Sequence, residues 1–146
     1  MTALANDAWE ALLSAHAVLM KQFAAEDIWA QVSMREYDVL YTLSKCQYPI
    51  NMTELNRHVL LSQPALSRLV DRLAERGLVR RWADPADGRG VRLSLTGAGR
   101  ALQRQVGRQH ARGVARAMTA GLNPGELRQL ETICRKLAAH DQNGNQ

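Results

Sequence analysis

Between Leu61 and Gly99 the hydrophobic pattern switches from a helical period to strand alternation and back, which sharply narrows what the chain can fold into. The stretch reads LSQPALSRLVDRLAERGLVRRWADPADGRGVRLSLTGAG. From Pro64 onward, Leu66, Leu69, Val70 and Leu73 recur at helical spacing and share one arc of the helical wheel. Ser62-Gln63-Pro64 marks the entry, because Ser or Gln can accept from orphan N–H groups and Pro lacks the N–H that a first turn leaves unpaired. Gly77 after Arg76 is a stop, since Gly tolerates the left-handed conformation there. Leu78 to Trp82 then reads as a strand, Asp84-Pro85-Ala86-Asp87-Gly88 as a turn, and Val91 to Leu95 as a cleanly alternating strand. Thr96 is placed to cap a further helix.

The predicted helix has a second face. Gln63, Ser67, Arg68, Asp71 and Arg72 lie opposite the apolar arc. Such a face suits plain solvation, or donation to base edges and phosphates. The hairpin that follows carries Arg89 near its apex. A guanidinium on a narrow turn is shaped to enter a minor groove, where the negative potential attracts it. Asp87 either builds the turn or holds Arg89 or another arginine by a charge-assisted bond.

The charge balance favours a polyanionic partner without requiring one. The chain has 146 residues, with 19 Lys and Arg against 14 Asp and Glu, a formal net charge of +5. That length suits one compact domain, or a small domain with an oligomerisation element. Seven arginines and four acids fall between Ser62 and Arg92, so over half of the formal excess sits there. Cys46 and Cys134 have neither metal-ligand spacing nor a disulfide framework. No apolar run approaches the ~18 residues of a membrane span, and the N-terminus carries no basic-then-apolar signal. The expectation is a cytoplasmic protein with no membrane partner, no cofactor and no metal. His16, His58, His110 and His140 adjoin no acid, Ser or Cys at catalytic spacing apart from His140-Asp141, and no phosphate loop or zinc motif is present. No enzyme is expected.

The rest of the chain reads as helices. Ala8 to Phe23 carries Trp9, Leu12, Leu13, Leu19, Met20 and Phe23 as an apolar stripe interrupted by His16, a core or interface residue or a ligand-binding one. Ser33-Met34-Arg35-Glu36 is a capping box, and its helix bears Tyr37, Leu40, Tyr41 and Ser44 on one side before Pro49 ends it. Thr53 can cap a short helix from Glu54 to Leu60. That helix, a tight turn at Leu61-Ser62 and the next helix make a helix-turn-helix arrangement. From Thr96 a long helix runs to about Ala120, with Arg100, Arg104, Arg108, Arg112 and Arg116 at every fourth position and no acid between Ser94 and Gly125. Like charges at that spacing repel by a few tenths of a kcal/mol per pair. The stripe is either a solvated face or faces negative charge, from Asp7, Glu10, Glu26 or Asp27, or from a nucleic-acid backbone. Asn123-Pro124-Gly125-Glu126 opens a last helix, in which Leu127, Leu130, Cys134 and Leu137 form a short coiled-coil-like seam. Asp141 to Gln146 reads as a polar, frayed tail.

This order of elements resembles the MarR family of bacterial transcriptional regulators. The resemblance rests on Arg68-Leu69-Val70-Asp71-Arg72-Leu73, Gly77-Leu78-Val79-Arg80-Arg81, Asp84-Pro85-Ala86-Asp87-Gly88-Arg89 and Leu93-Ser94-Leu95-Thr96-Gly97-Ala98-Gly99. It implies a mainly α fold with a small β-wing: a winged helix-turn-helix region over residues 33–99, and a helical dimerisation region over residues 1–30 and 100–141. It implies a homodimer bound to a pseudo-palindromic operator in double-stranded DNA, with the helix from Gln63 to Arg76 in the major groove and Arg89 at the minor groove. The expected DNA-binding residues are Ser62, Gln63, Pro64, Ser67, Arg68, Arg72 and Arg89, with Asp87 supporting the wing. Similar proteins often release DNA when a small aromatic acid or phenol binds. Trp9, His16, Trp29, Tyr37 and Tyr41 either line such a pocket or fill the core. Members that sense oxidants look to have a Cys in or near the first helix. Here that helix has none, and Cys46 lies at the end of the second helix.

The function expected is a sequence-specific, dimeric repressor. Phosphate contacts would supply most of the affinity, with strong salt dependence, and a ligand favouring a mis-spaced dimer would relieve binding. The rivals are a winged helix used for protein contacts or non-specific packaging, and an enzyme.

Overall fold

The computed structural model describes residues 1–142. Among them the elements run α1 (Thr2–Ala24), α2 (Met34–Lys45), β1 (Ile50–Asn51), α3 (Met52–Asn56), α4 (Gln63–Glu75), β2 (Val79–Ala83), β3 (Val91–Leu95), α5 (Gly97–Gly121) and α6 (Pro124–Gln142). The strands form one antiparallel sheet in the order β1-β3-β2. Leu93 of β3 faces Ile50 on one side and Arg81 on the other, and Val79 faces Leu95. The architecture is the expected one, mainly α with a small β-wing.

The chain divides into two units. The unit from Ala24 to His110 holds the core. Leu40, Leu55, Leu66, Leu73 and Leu93 are fully buried there, with Val32, Val39 and Val70. The arc predicted on α4 (Leu66, Leu69, Val70 and Leu73) is the set that α4 buries. The other unit holds Met1–Phe23 and the chain from Ala111 onward. Several of its large apolar side chains stay uncovered among the described residues. No residue of α1 is buried, and Leu4, Trp9, Leu13 and Val18 on α1 and Ile133 and Leu137 on α6 are each more than half exposed.

Helix ends follow local chemistry. Ser33 Oγ accepts from the Glu36 N–H at 3.1 Å while Glu36 Oε1 accepts from the Ser33 N–H at 2.9 Å. Asn123 and Glu126 make the same reciprocal pair at 2.9 and 3.0 Å. The end of α4 is a Schellman motif. The Leu78 N–H bonds to the Leu73 carbonyl and the Gly77 N–H to the Ala74 carbonyl, each at 3.0 Å, and Gly77 adopts φ +73°. Thr96 then ties this end to α5. Its hydroxyl donates to the Gly77 carbonyl at 2.6 Å and accepts from the Gly99 N–H at 3.0 Å, and its own N–H reaches the Leu78 carbonyl at 3.2 Å.

Four boundaries differ from the sequence reading. First, α1 starts at Thr2 rather than Ala8, because the Met1 carbonyl already accepts the Ala5 N–H at 2.9 Å. Second, the short third helix is Met52–Asn56, not Glu54 to Leu60. Asn51 Oδ1, rather than Thr53, caps it by accepting from the Glu54 N–H at 2.8 Å, and its last turn tightens into i→i+3 bonds at Arg57 and His58. Third, β1 is too short to leave a period and exists only through its pairing with β3. Fourth, α6 continues to Gln142 through the start of the expected polar tail, the remainder of which lies outside the described residues.

Two glycines of one helix separate packing from propensity. A Cβ at Gly99 would overlap the Leu78 carbonyl oxygen, whereas a Cβ at Gly97 would meet nothing within 4 Å. Gly99→Ala is expected to destabilise the protein by about 1–3 kcal/mol or more, and Gly97→Ala to be neutral or stabilising by up to about 1 kcal/mol. Urea unfolding of the two variants side by side checks the contrast.

Candidate nucleic-acid interface

The outward face of α4 is polar. Gln63, Pro64, Ser67, Arg68 and Arg72 are all exposed. Ser62 caps the helix, its Oγ accepting from the Ala65 N–H at 3.3 Å, and its hydroxyl proton stays available to donate. The fifth outward polar side chain, Asp71, is partly buried and paired with Arg81 of β2.

Ion pairing sorts the arginines of this region into two groups. Arg81 is held by Asp71. Arg92 donates to Asp84 Oδ2 at 3.0 Å and to the Pro49 carbonyl at 3.2 Å. Arg76 reaches the Gln31 carbonyl at 2.6 Å and Glu36 at 3.5 Å. These three fasten α4, the wing and the preceding loops together. Arg80 lies over the Trp82 ring, 4.6 Å from its centroid. Arg68, Arg72 and Arg89 hold no carboxylate among the described residues. The five arginines from Arg100 to Arg116 are likewise exposed and without an ion pair among the described residues. Of the acids considered for that stripe, Glu26 meets His110 instead.

The wing tip is shaped by backbone bonds. Asp87 Oδ1 accepts from the Arg89 N–H at 3.1 Å and the Asp87 carbonyl accepts from the Gly90 N–H at 2.9 Å. The carboxylate that grips a guanidinium is Asp84, buried at the base of the hairpin, whose second oxygen also accepts from the Ala86 N–H at 2.9 Å. Sequence reading passed over Asp84 as a turn residue. The signal was present, since closing the hairpin with Ala83 opposite Val91 sets Asp84 beside Arg92.

Of the five residues considered for a ligand pocket, Trp29, Tyr37 and Tyr41 come together. Ring centroids are 5.8 Å apart for Trp29–Tyr37 and 6.0 Å for Tyr37–Tyr41. His110 of α5 joins them, 5.4 Å from both Trp29 and Tyr37, with its Nδ1 3.9 Å from Glu26 Oε2. No local pattern links His110 to Glu26 or Trp29, so sequence reading missed it. Trp9 and His16 stand exposed on α1, in the other unit. A Cβ at Gly107 would crowd the Tyr37 hydroxyl at 3.1 Å, so this glycine makes room for the phenol against α5. Burial pushes the Tyr37 phenol up, against a hydrogen bond from Gln103.

The Cys46 thiol donates to the Thr42 carbonyl at 3.3 Å, and burial, then the Glu54 charge, pushes it up. That favours the unreactive thiol over the thiolate. Cys134 is exposed on α6. No helix among the described residues is long and apolar enough to cross a membrane, and no group of His, Cys, Asp and Glu among them could hold a metal ion.

Helix α3, a tight turn, α4 and a basic hairpin packed beside it make a winged helix-turn-helix, a DNA-binding module. A family model described as MarR family matches residues 32–91. The Multiple antibiotic resistance protein MarR of Escherichia coli (strain K12) is 29% identical over 106 residues, 73% of either chain. A MarR family transcriptional regulator of Streptomyces coelicolor, solved in complex with DNA, is 27% identical, with a TM-score of 0.76 over 94% of this chain and 88% of that one. BpsR of Bordetella bronchiseptica, whose DNA binding is regulated by 6-hydroxynicotinic acid, is 25% identical, with a TM-score of 0.75 over 90% of this chain and 98% of its own. The family model, the curated relative and the solved structures together support a regulator of the MarR type, similar to DNA-binding transcriptional regulators.

Beside His110, burial pushes the Asp38 carboxyl up, against the pull of the His110 and Arg35 charges. A raised carboxyl favours the neutral form, so the charged form costs stability on folding. That cost is absent below the ordinary carboxylate value of about 3.9 and sets in as pH rises through the raised value. Asp38→Asn is therefore expected to stabilise the protein at neutral pH, with the advantage fading on acidification. Thermal melts across that range read the trend.

Proposed function

We propose that this regulator is a homodimeric repressor of a pseudo-palindromic operator, relieved by a small aromatic or phenolic ligand. The observation that carries the DNA reading is the sorting of the arginines. Arg76, Arg81 and Arg92 are spent on the fold, while Arg68, Arg72 and Arg89 stand exposed on the α4 face and the wing tip, without a carboxylate among the described residues. In this reading α4 lies in the major groove. Gln63, Ser67, Arg68 and Arg72 donate to base edges or phosphates there, with Ser62 and Pro64 at the helix entry. Arg89 enters the minor groove on the turn that Asp87 shapes.

Residues 33–99 then form the reading region, and residues 1–30 and 100–141 the dimerisation region. The exposed Trp9 and Leu13, one turn apart on α1, and Ile133 and Leu137, one turn apart on α6, support this, since exposed large apolar side chains grouped on a helix face mark association surfaces. A dimer would present two half-sites ~34 Å apart. Binding across a promoter would exclude polymerase, in the cytoplasm where the chromosome lies. For the ligand, the support is the Trp29, Tyr37 and Tyr41 cluster together with the regulation of BpsR by an aromatic acid. A ligand preferring a mis-spaced dimer would draw the population away from DNA by its differential affinity alone.

An operator selected with the wild-type protein tests the reading. Arg68→Ala should cost about 1–3 kcal/mol and relax preference at one base position per half-site, and Arg89→Ala should weaken binding and reduce the salt slope by about one unit. Uniform loss of affinity with no change of preference for Arg68→Ala would favour non-specific packaging. In the same titration an aromatic carboxylic acid should lower wild-type affinity, and an unchanged affinity across the acids tried would remove the ligand from the proposal. Separately, truncation after Asn123 is expected to yield monomers in sedimentation; intact dimers would refute the assignment of α6.

A further inference from the structure

Leu60 is 94% exposed in the turn between α3 and α4. Its neighbour Leu61 does the structural work of that turn. Leu61 is partly buried and packs against the core, at the position from which a residue ahead of the cap staples onto the fourth helical residue, here the buried Leu66. The Leu61 N–H also bonds to the Val59 carbonyl at 2.9 Å, closing the backbone tightly around Leu60. Nothing in the fold therefore requires an aliphatic side chain at Leu60, where any polar residue would be solvated at less cost.

A lone exposed leucine needs no explanation on an ordinary surface. This one stands two residues ahead of the Ser62 cap, at the end of α4 that carries the exposed Gln63, Pro64 and Ser67. In a major groove the base edges offer hydrogen-bonding groups and one apolar feature, the thymine C5-methyl group. Gln63, Ser67 and Arg68 can address the former. Leu60 and Pro64 are the apolar groups at that end, and Leu60 has the free reach.

We propose that Leu60 is a specificity-determining residue that packs on a thymine methyl group and sets a preference for thymine at one position in each half-site. This rests on the placement of α4 in the major groove. The probe is a duplex enriched by the full-length protein from a random-sequence library. Each thymine is replaced in turn by deoxyuridine, which deletes only the methyl group. Wild-type protein should lose about fourfold in affinity at one position per half-site, the worth of one buried methyl group. Leu60→Ala and Leu60→Gln should bind the thymine and deoxyuridine duplexes alike at that position, with melting temperatures unchanged. A deoxyuridine profile that is flat for wild-type protein, or that persists in both variants, overturns the role of Leu60 alone. A library that yields no preferred sequence overturns it together with the major-groove placement.

Discussion

The hydroxyl of Thr96 holds the reading end of the protein together. It donates to the carbonyl of Gly77, just past the end of α4, and accepts from the N–H of Gly99, in the first turn of α5. The last turn of α4 is thereby fixed to the exit of the wing and to the start of the helix that leaves the unit. The contact is possible because Gly77 accepts a left-handed conformation and because Gly99 has no side chain to strike the Leu78 carbonyl. The direction of α4, the base of the hairpin and the origin of α5 are consequently one geometric decision. Under the proposed mode of binding, in which a helix and a wing meet one DNA duplex together, that rigidity counts as much as the contact residues themselves.

Electrostatics divides the labour among residues of one chemical type. An arginine beside a buried acid such as Asp84 gains a charge-assisted bond and becomes part of the scaffold. An arginine on an outward face with no acid within reach keeps its full charge for a polyanion. Arg92 and Arg89 sit three residues apart and fall on opposite sides of this division. The net charge of the chain does not separate them, because it counts both alike.

The aromatic cluster shows a second division, between filling and function. Tyr37 stacks on Tyr41 and meets Trp29 at a tilt and His110 edge-on, and Gly107 leaves the space the Tyr37 phenol needs. His110 lies within ion-pair distance of Glu26. Burial raises the Tyr37 phenol and the Asp38 carboxyl, and perturbed groups of this kind gather at functional sites.

Local chemistry alone determined most of the elements. The apolar arc of α4, the Ser33 and Asn123 capping boxes, the Gly77 stop and the Asp84–Gly88 turn were all legible, because each depends on neighbours within four residues. The family resemblance rested on the same stretches. What needed the tertiary structure was every pairing across distance. Asn51 became half of a two-residue strand only when β3 lay alongside it. Asp84 rather than Asp87 became the grip on an arginine once the hairpin closed. His110 met Glu26 because α5 passes the loop after α1. Charge and hydrophobicity can be read residue by residue, but which acid neutralises which base is set by where the fold brings them together.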